Sequence, residues 1–148
     1  PAGFFMVLNF AKLNNTAVDP EQLDGNKPAF RLFSDRDFRI EPLERAEITT
    51  GIMLFGAPNL IVKVFPSVEL LINNGVACLP TLITGGGEVK VPVINVTIPD
   101  FLYVRNEVAK AHSAFFGSHN SFEVEKGQEI ATILIEKSLE KVSFREII

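Results

Sequence analysis

Short runs rich in Val, Ile and Phe, each broken within about a dozen residues by Gly, Pro or Asn, constrain this chain most. They are Phe30–Phe33, Ala46–Phe55, Leu60–Phe65, Gly75–Ile83, Glu88–Thr97, Ile130–Ile135 and Val142–Ile148, with an apolar start at Phe4–Phe10. Runs this short, with β-branched and aromatic residues and regular turn formers, read as an all-β sandwich or barrel. Glu88-Val89-Lys90-Val91 alternates polar and apolar, as a strand with one wet face does. The stretch from Asn14 through Pro28 is rich in turn formers and reads as a polar connection.

One segment departs from the β pattern. After Pro99-Asp100, residues Val104, Val108, Ala111 and Phe115 are spaced 4, 3 and 4 apart, giving one apolar helical stripe with Phe116 beside it. Asp100 suits an N-cap and Gly117 a C′ position, so the spacing predicts a short helical insertion over 100–117. The segment is longer than a simple turn needs. Long connections in compact domains are commonly functional, which makes the stripe a candidate partner-binding surface. The competing reading has it packed on its own sandwich.

The 148 residues suit one domain, 1–148, with no internal repeat or boundary visible. A formal net charge of −4 disfavours a nucleic-acid binder, which would carry a concentrated basic face. No apolar stretch approaches the ~18 residues of a membrane span, and the start has no basic leader. Cys78 is the single thiol, in an apolar run where a small core residue is expected. Its lack of an intrachain partner suggests a reducing, intracellular setting. His112 and His119 lack Cys or His partners at metal spacing, and Gly85-Gly86-Gly87 lacks the Lys-Ser/Thr of a P-loop; a hairpin turn or bulge explains it. Asp35-Arg36-Asp37 and Glu136–Lys141 read as solvated turns. Two N-x-Thr triplets, at Asn14 and Asn95, read as chance. Glu146-Ile147-Ile148 reads as a terminal strand, with a carboxylate-recognised peptide as the alternative.

Several motifs occur together in order. Pro28-Ala29-Phe30-Arg31-Leu32-Phe33-Ser34 is followed by Ile40-Glu41-Pro42 and Ile48-Thr49-Thr50-Gly51-Ile52. Then come Pro66–Val76, Gly85–Val91 and Phe122–Leu134, the last reading FEVEKGQEIATIL. Over about four-fifths of the chain this series resembles the dUTPases, trimeric enzymes that hydrolyse dUTP to dUMP. The resemblance implies a dUTPase-like jelly roll or β-sandwich and a homotrimer. It also implies Mg²⁺ spanning the substrate phosphates and a carboxylate that activates water.

The residues that would do the chemistry depart from the family pattern. The first-motif Asp becomes Arg31. The phosphate-holding Arg and Ser become Ser67 and Val68, and the following Gly becomes Glu69. The water-activating Asp falls on Leu82 or Thr84, since no Asp occurs between Asp37 and Asp100. The Tyr beside the sugar becomes Gly85, and the later Asp, Arg and Gln become Gln128, Glu129 and Thr132. The family's glycine-rich C-terminal arm has no counterpart before Ile148. General-base hydrolysis needs a carboxylate within hydrogen-bond reach of water, and the family positions supply none. The expectation is therefore a catalytically inactive, non-enzyme member of this superfamily, viral or virus-derived. It would act as a binding or structural homotrimer with an unknown protein partner and no cofactor, nucleic acid or membrane. The alternatives are an enzyme of the dUTPase and dCTP deaminase group with relocated catalytic residues, and a nucleotide sensor without hydrolysis.

Overall fold

The computed structural model describes residues 8–24, 27–56, 60–68, 70, 76–84, 86–97, 107–108, 110–111, 121–137 and 143–147. Their strands are β1 (Asn9–Lys12), β2 (Glu21–Gln22), β3 (Ala29–Phe33), β4 (Phe38–Ile40), β5 (Arg45–Phe55), β6 (Leu60–Pro66), β7 (Val76–Cys78), β8 (Thr81–Thr84), β9 (Gly86–Asn95), β10 (Phe122–Val124) and β11 (Glu129–Lys137). One antiparallel sheet has the order β1-β5-β9-β7 and another β2-β3-β11-β6-β8, with a β10-β4 ribbon beside them. The β-sandwich expected from the punctuated runs is the observed architecture.

Alternation decides which side chains meet between the sheets. Along β9, Val89, Val91 and Val93 face inward while Lys90 is exposed. They join Ile48, Ile52 and Leu54 of β5, Leu32 of β3, Val62 and Val64 of β6, and Ile133 of β11 in one buried cluster. Cys78 packs partly buried against it, as its apolar neighbours suggested. Burial pushes the Cys78 thiol up to about 11, so it stays protonated and unreactive at neutral pH.

Two bulges break the register. One lies in the β5–β9 pairing between Thr49 and Met53, the other in the β11–β3 pairing between Glu129 and Ala131. At each, consecutive residues turn inward: Thr50-Gly51-Ile52 and Ile130-Ala131. The first bulge builds the floor of the site described below.

Several boundaries differ from the sequence reading. The run Gly75–Ile83 is two strands, because Leu79-Pro80 interrupts it. Pro80 has no N–H for a ladder, and the two halves join different sheets. The Gly85–Gly87 run is not a hairpin within a sheet. It follows β8, which pairs with β6, and leads into β9, which pairs with β5 and β7, so the chain changes layers there. Residues 143–147 of the expected last strand are exposed and unpaired as a strand, with Phe144 fully open to solvent. Strand β2 lies within the expected polar connection. Of the expected helix over 100–117, Glu107, Val108, Lys110 and Ala111 are described and helical. At the residues of the stripe that are described, Val108 is 77% exposed and Ala111 is exposed. Val104, Phe115, Phe116, His112 and His119 lie outside the described residues. Among the described residues no helix is long and apolar enough to cross a membrane.

Asn95 of the second N-x-Thr triplet is fully buried. Its amide donates to the Ile40 carbonyl at 2.9 Å and its side-chain oxygen accepts from the Thr97 N–H and hydroxyl. It pins the β4–β5 turn, where its backbone bonds Leu43 and Glu44. A side chain so enclosed serves the fold rather than carrying a glycan.

Candidate functional site

The sheet β2-β3-β11-β6 gathers part of the motif set. Arg31 on β3 stands opposite Glu21 on β2 and Thr132 on β11, and Thr132 stands opposite Phe65 on β6. Glu129, at the start of β11, approaches Arg31 at 3.5 Å, and Glu21 reaches it at 3.0 Å. Ser67, just past β6, donates its N–H to the Ile130 carbonyl at 2.8 Å, which keeps the second and fourth motifs adjacent. Val68 next to it is exposed. The Gln128 side chain closes its own turn by accepting the Glu125 N–H. Both carboxylates beside Arg31 weaken its attraction for an incoming anion.

The third-motif positions sit apart from that row. Leu82 and Thr84 lie on β8 at the far edge of the sheet, with Leu82 opposite Lys63 and 60% exposed. Neither can activate water. Glu69 and Gly85 lie outside the described residues.

A second polar cluster lies where the Ser34–Asp37 turn meets the β5 bulge. Asp35 is fully buried, 0% exposed, although its neighbours Arg36 and Asp37 are open to solvent. Its carboxylate accepts from the Thr49 hydroxyl, from Asn14 Nδ2 at 2.8 Å, and from Arg36 Nε and Nη2 at 3.2 Å each. The Asp35 N–H donates to the Thr49 carbonyl at 3.1 Å. Gly51 leaves the room this requires, since a Cβ there would fall 3.1 Å from Asp35 Oδ2 and 2.9 Å from the Ala17 Cβ. Burial pushes the Asp35 carboxyl up, but hydrogen bonds from Arg36, Thr49 and Asn14 outweigh it and hold the group below its ordinary value. Asp35 is therefore a charged group with its oxygens occupied, which makes it an anchor rather than a base. The expectation of a solvated Asp35-Arg36-Asp37 turn fails at its first residue.

The cluster continues onto β9. Thr49 stands opposite Lys90, and Lys90 Nζ lies 3.7 Å from both Glu47 and Glu88 carboxylates. Glu88, four residues past Thr84, has a side chain 26% exposed and lies within the electrostatic reach of Arg36. Glu88 is thus a partly exposed carboxylate paired with Lys90 on its own strand, the type of group that serves as a general base in phosphate-ester hydrolysis. Sequence reasoning left Glu88 as a strand residue and Asp35 and Arg36 as a solvated turn, and it gave Asn14 and Thr49 no role in a site. The retained Gly51 of the I-x-T-G-I motif was the one pointer to this place.

The resemblance implies Mg²⁺ carried on the substrate phosphates, and the described residues offer it no ligand group of their own. Among them no three His, Cys, Asp or Glu side chains group to hold a metal, and the oxygens of Asp35 are already bonded. No step below is routed through the ion. Two open concavities among the described residues border these polar groups, the first taking in Glu47 and the second Asp37. One of about 560 Å³ on β5, β9 and β7 includes Ala77, Leu79, Pro92 and Ile94. One of about 610 Å³ lies on the β4–β10 ribbon.

No protein-family model matches the chain. It is 31% identical over 144 residues to the deoxyuridine 5'-triphosphate nucleotidohydrolase of Clostridium tetani, covering 95% of this chain and 84% of the relative. It is 29% identical over 147 residues to the enzyme of that name from Clostridium kluyveri, covering 97% and 87%. Among solved structures it superposes on the dUTPase of Staphylococcus bacteriophage 80alpha with a TM-score of 0.73 at 16% identity, covering 95% and 96%. The dUTPase of phage phi11 of S. aureus gives 0.73 at 13% identity, covering 96% of each chain. The phage structures establish the shared fold. The clostridial relatives overturn the expectation of a catalytically inactive chain that is no enzyme: both are enzymes by name and align over nearly its whole length. That expectation counted losses at fixed positions and overlooked acids and cations brought together from elsewhere.

Proposed function

The chain belongs to the deoxyuridine 5'-triphosphate nucleotidohydrolase family, and we propose that it hydrolyses dUTP with a carboxylate placed differently from the family pattern. The observation carrying this reading is the alignment over 95% of the chain with a relative of that name. Glu88 is the carboxylate we assign to the water. Glu88 removes a proton as the water oxygen attacks the α-phosphorus. The bond from that phosphorus to the bridging oxygen breaks, and dUMP and pyrophosphate leave. Losing a well-placed general base lowers rates by about 10²–10⁴, so turnover is expected to be slower than with the family's own base.

Pyrophosphate release from dUTP, measured on repurified protein, is the test. Glu88→Gln is expected to lower kcat by about 10²-fold or more, with less change in KM. Absence of turnover by the wild-type protein would sink the hydrolytic reading, and full activity in Glu88→Gln would remove Glu88 from it.

The assembly we propose is a homotrimer. Exposed Phe65, Val68, Leu79 and Leu82 are apolar surface that association would cover. Light scattering coupled to size exclusion is expected to give three times 16.3 kDa, and a monomer mass at micromolar concentration would refute it. A virus-derived origin rests only on the shared fold of the two phage enzymes.

A further inference from the structure

We infer that Arg36, aimed by the buried Asp35 carboxylate, is the side chain that grips the phosphate chain of the nucleotide. The inference rests on the hydrolytic reading and names a contact within it. Asp35 engages Arg36 through Nε and Nη2, both at 3.2 Å. That uses the side edge of the guanidinium and leaves Nη1, with the outer proton of Nη2, as a second pair of donors facing away from the carboxylate. Such a pair matches two oxygens of a phosphate in a fork.

The anchor is rigid. Asp35 is fully buried and is itself fixed by Thr49 on β5 and Asn14 beyond β1, so the guanidinium is held from one side. Its outer part is open: the Arg36 side chain is 60% exposed. A long cation normally loses rotamer freedom when it binds an anion, and an arginine already oriented by a buried carboxylate loses less. The other cations near the motif positions lack this arrangement. Arg31 lies between Glu21 and Glu129, and Lys63 is bonded to Glu136 at 3.0 Å. Arg36 is thus a cation already oriented and open to solvent, and Lys90 stands on the strand that carries Glu88.

The negative charges of Asp35 and Glu88 temper the attraction, and they set a distinguishable signature. Binding should depend on the fork rather than on charge alone. Arg36→Lys keeps the charge and loses the fork, so it should recover little of what Arg36→Ala loses. The measurement is calorimetric titration of the full-length protein with the non-hydrolysable analogue dUpNHpp. Inorganic pyrophosphate serves as competitor, and a thermal melt of each variant confirms that it is folded. Arg36→Ala is expected to weaken dUpNHpp binding by about 10- to 100-fold, and pyrophosphate competition should weaken in parallel. Binding unchanged in Arg36→Ala, or fully restored by Arg36→Lys, overturns the inference while leaving hydrolysis intact if dUTP is still turned over. Arg36-dependent binding without any turnover supports the phosphate contact and removes the hydrolytic reading. No binding by the wild-type protein overturns both.

Discussion

Replacing Asp35 with Ala is expected to destabilise the fold by about 2–3 kcal/mol, seen as a fall in Tm of roughly 5 °C or more. The carboxylate is fully buried and takes hydrogen bonds from Thr49, Asn14 and Arg36. Removing it leaves the Thr49 hydroxyl and Asn14 amide without their acceptor inside the protein, and opens a cavity beside Gly51. Asp35→Asn keeps the shape but turns an NH₂ toward one of the donors, so it restores only part of the loss. The effect also carries a pH signature. Asp35 is held below its ordinary value of 3.8, so the folded state binds fewer protons there than the unfolded state. Its charge-dependent stabilisation is complete above the unfolded value and is lost as pH falls through the lower folded value. The gap between wild type and Asp35→Ala in urea midpoints should therefore be widest at neutral pH and narrow well below about pH 4. A gap that stays constant into acid would show that the fold does not lower the carboxyl, a gap that widens into acid would show that the fold holds it neutral, and a variant as stable as wild type would remove the network altogether.

The fold was largely legible because the inter-sheet core is built from residues whose burial alternates. Val89, Val91 and Val93 can be read from the chain, since every second residue meets the opposing sheet. Strands too short to alternate were not legible. Phe38–Ile40 and Phe122–Val124 have three residues each, and their pairing depends on each other across 81 or more intervening residues. The division of Gly75–Ile83 was signalled by Pro80, but a proline marks an interruption without saying that the two halves belong to different sheets.

The site was less legible for a reason of the same kind. A charged triplet such as Asp35-Arg36-Asp37 is ordinarily solvated, and nothing local distinguishes its first residue. Its burial is imposed by Asn14, 21 residues earlier, and Thr49, 14 residues later, brought over it by the β5 bulge. Reading motifs position by position also made an absence look like an absence of chemistry. Leu82 and Thr84 carry no carboxylate, while Glu88 stands on the next strand at 3.7 Å from Lys90. The family was visible in the residues that shape turns and strands, and its reactive groups were not, because their placement depends on how the layers meet.

Gly51→Ala is expected to lower stability by about 2–4 kcal/mol and to disturb Asp35 in particular. Gly51 has φ +68°, which alone makes a Cβ unfavourable by about 1–2 kcal/mol. The added Cβ would also sit 2.9 Å from the Ala17 Cβ, 3.0 Å from Asn14 Nδ2 and 3.1 Å from Asp35 Oδ2, so atoms on two segments must shift. Gly127→Ala separates these contributions. Its φ is +85°, but a Cβ there meets nothing within 4 Å, so only the dihedral penalty of about 1 kcal/mol should remain. The comparison is made by urea denaturation of both variants. The decisive measurement is the double-mutant cycle with Asp35→Ala. If Gly51 shapes the carboxylate's pocket, the two substitutions share one loss, and the double variant is less destabilised than their sum by about 1 kcal/mol or more. Additive effects, or equal penalties at Gly51 and Gly127, would mean that the glycine is required by its own backbone alone. The Asp35–Arg36 anchor would then owe nothing to the bulge.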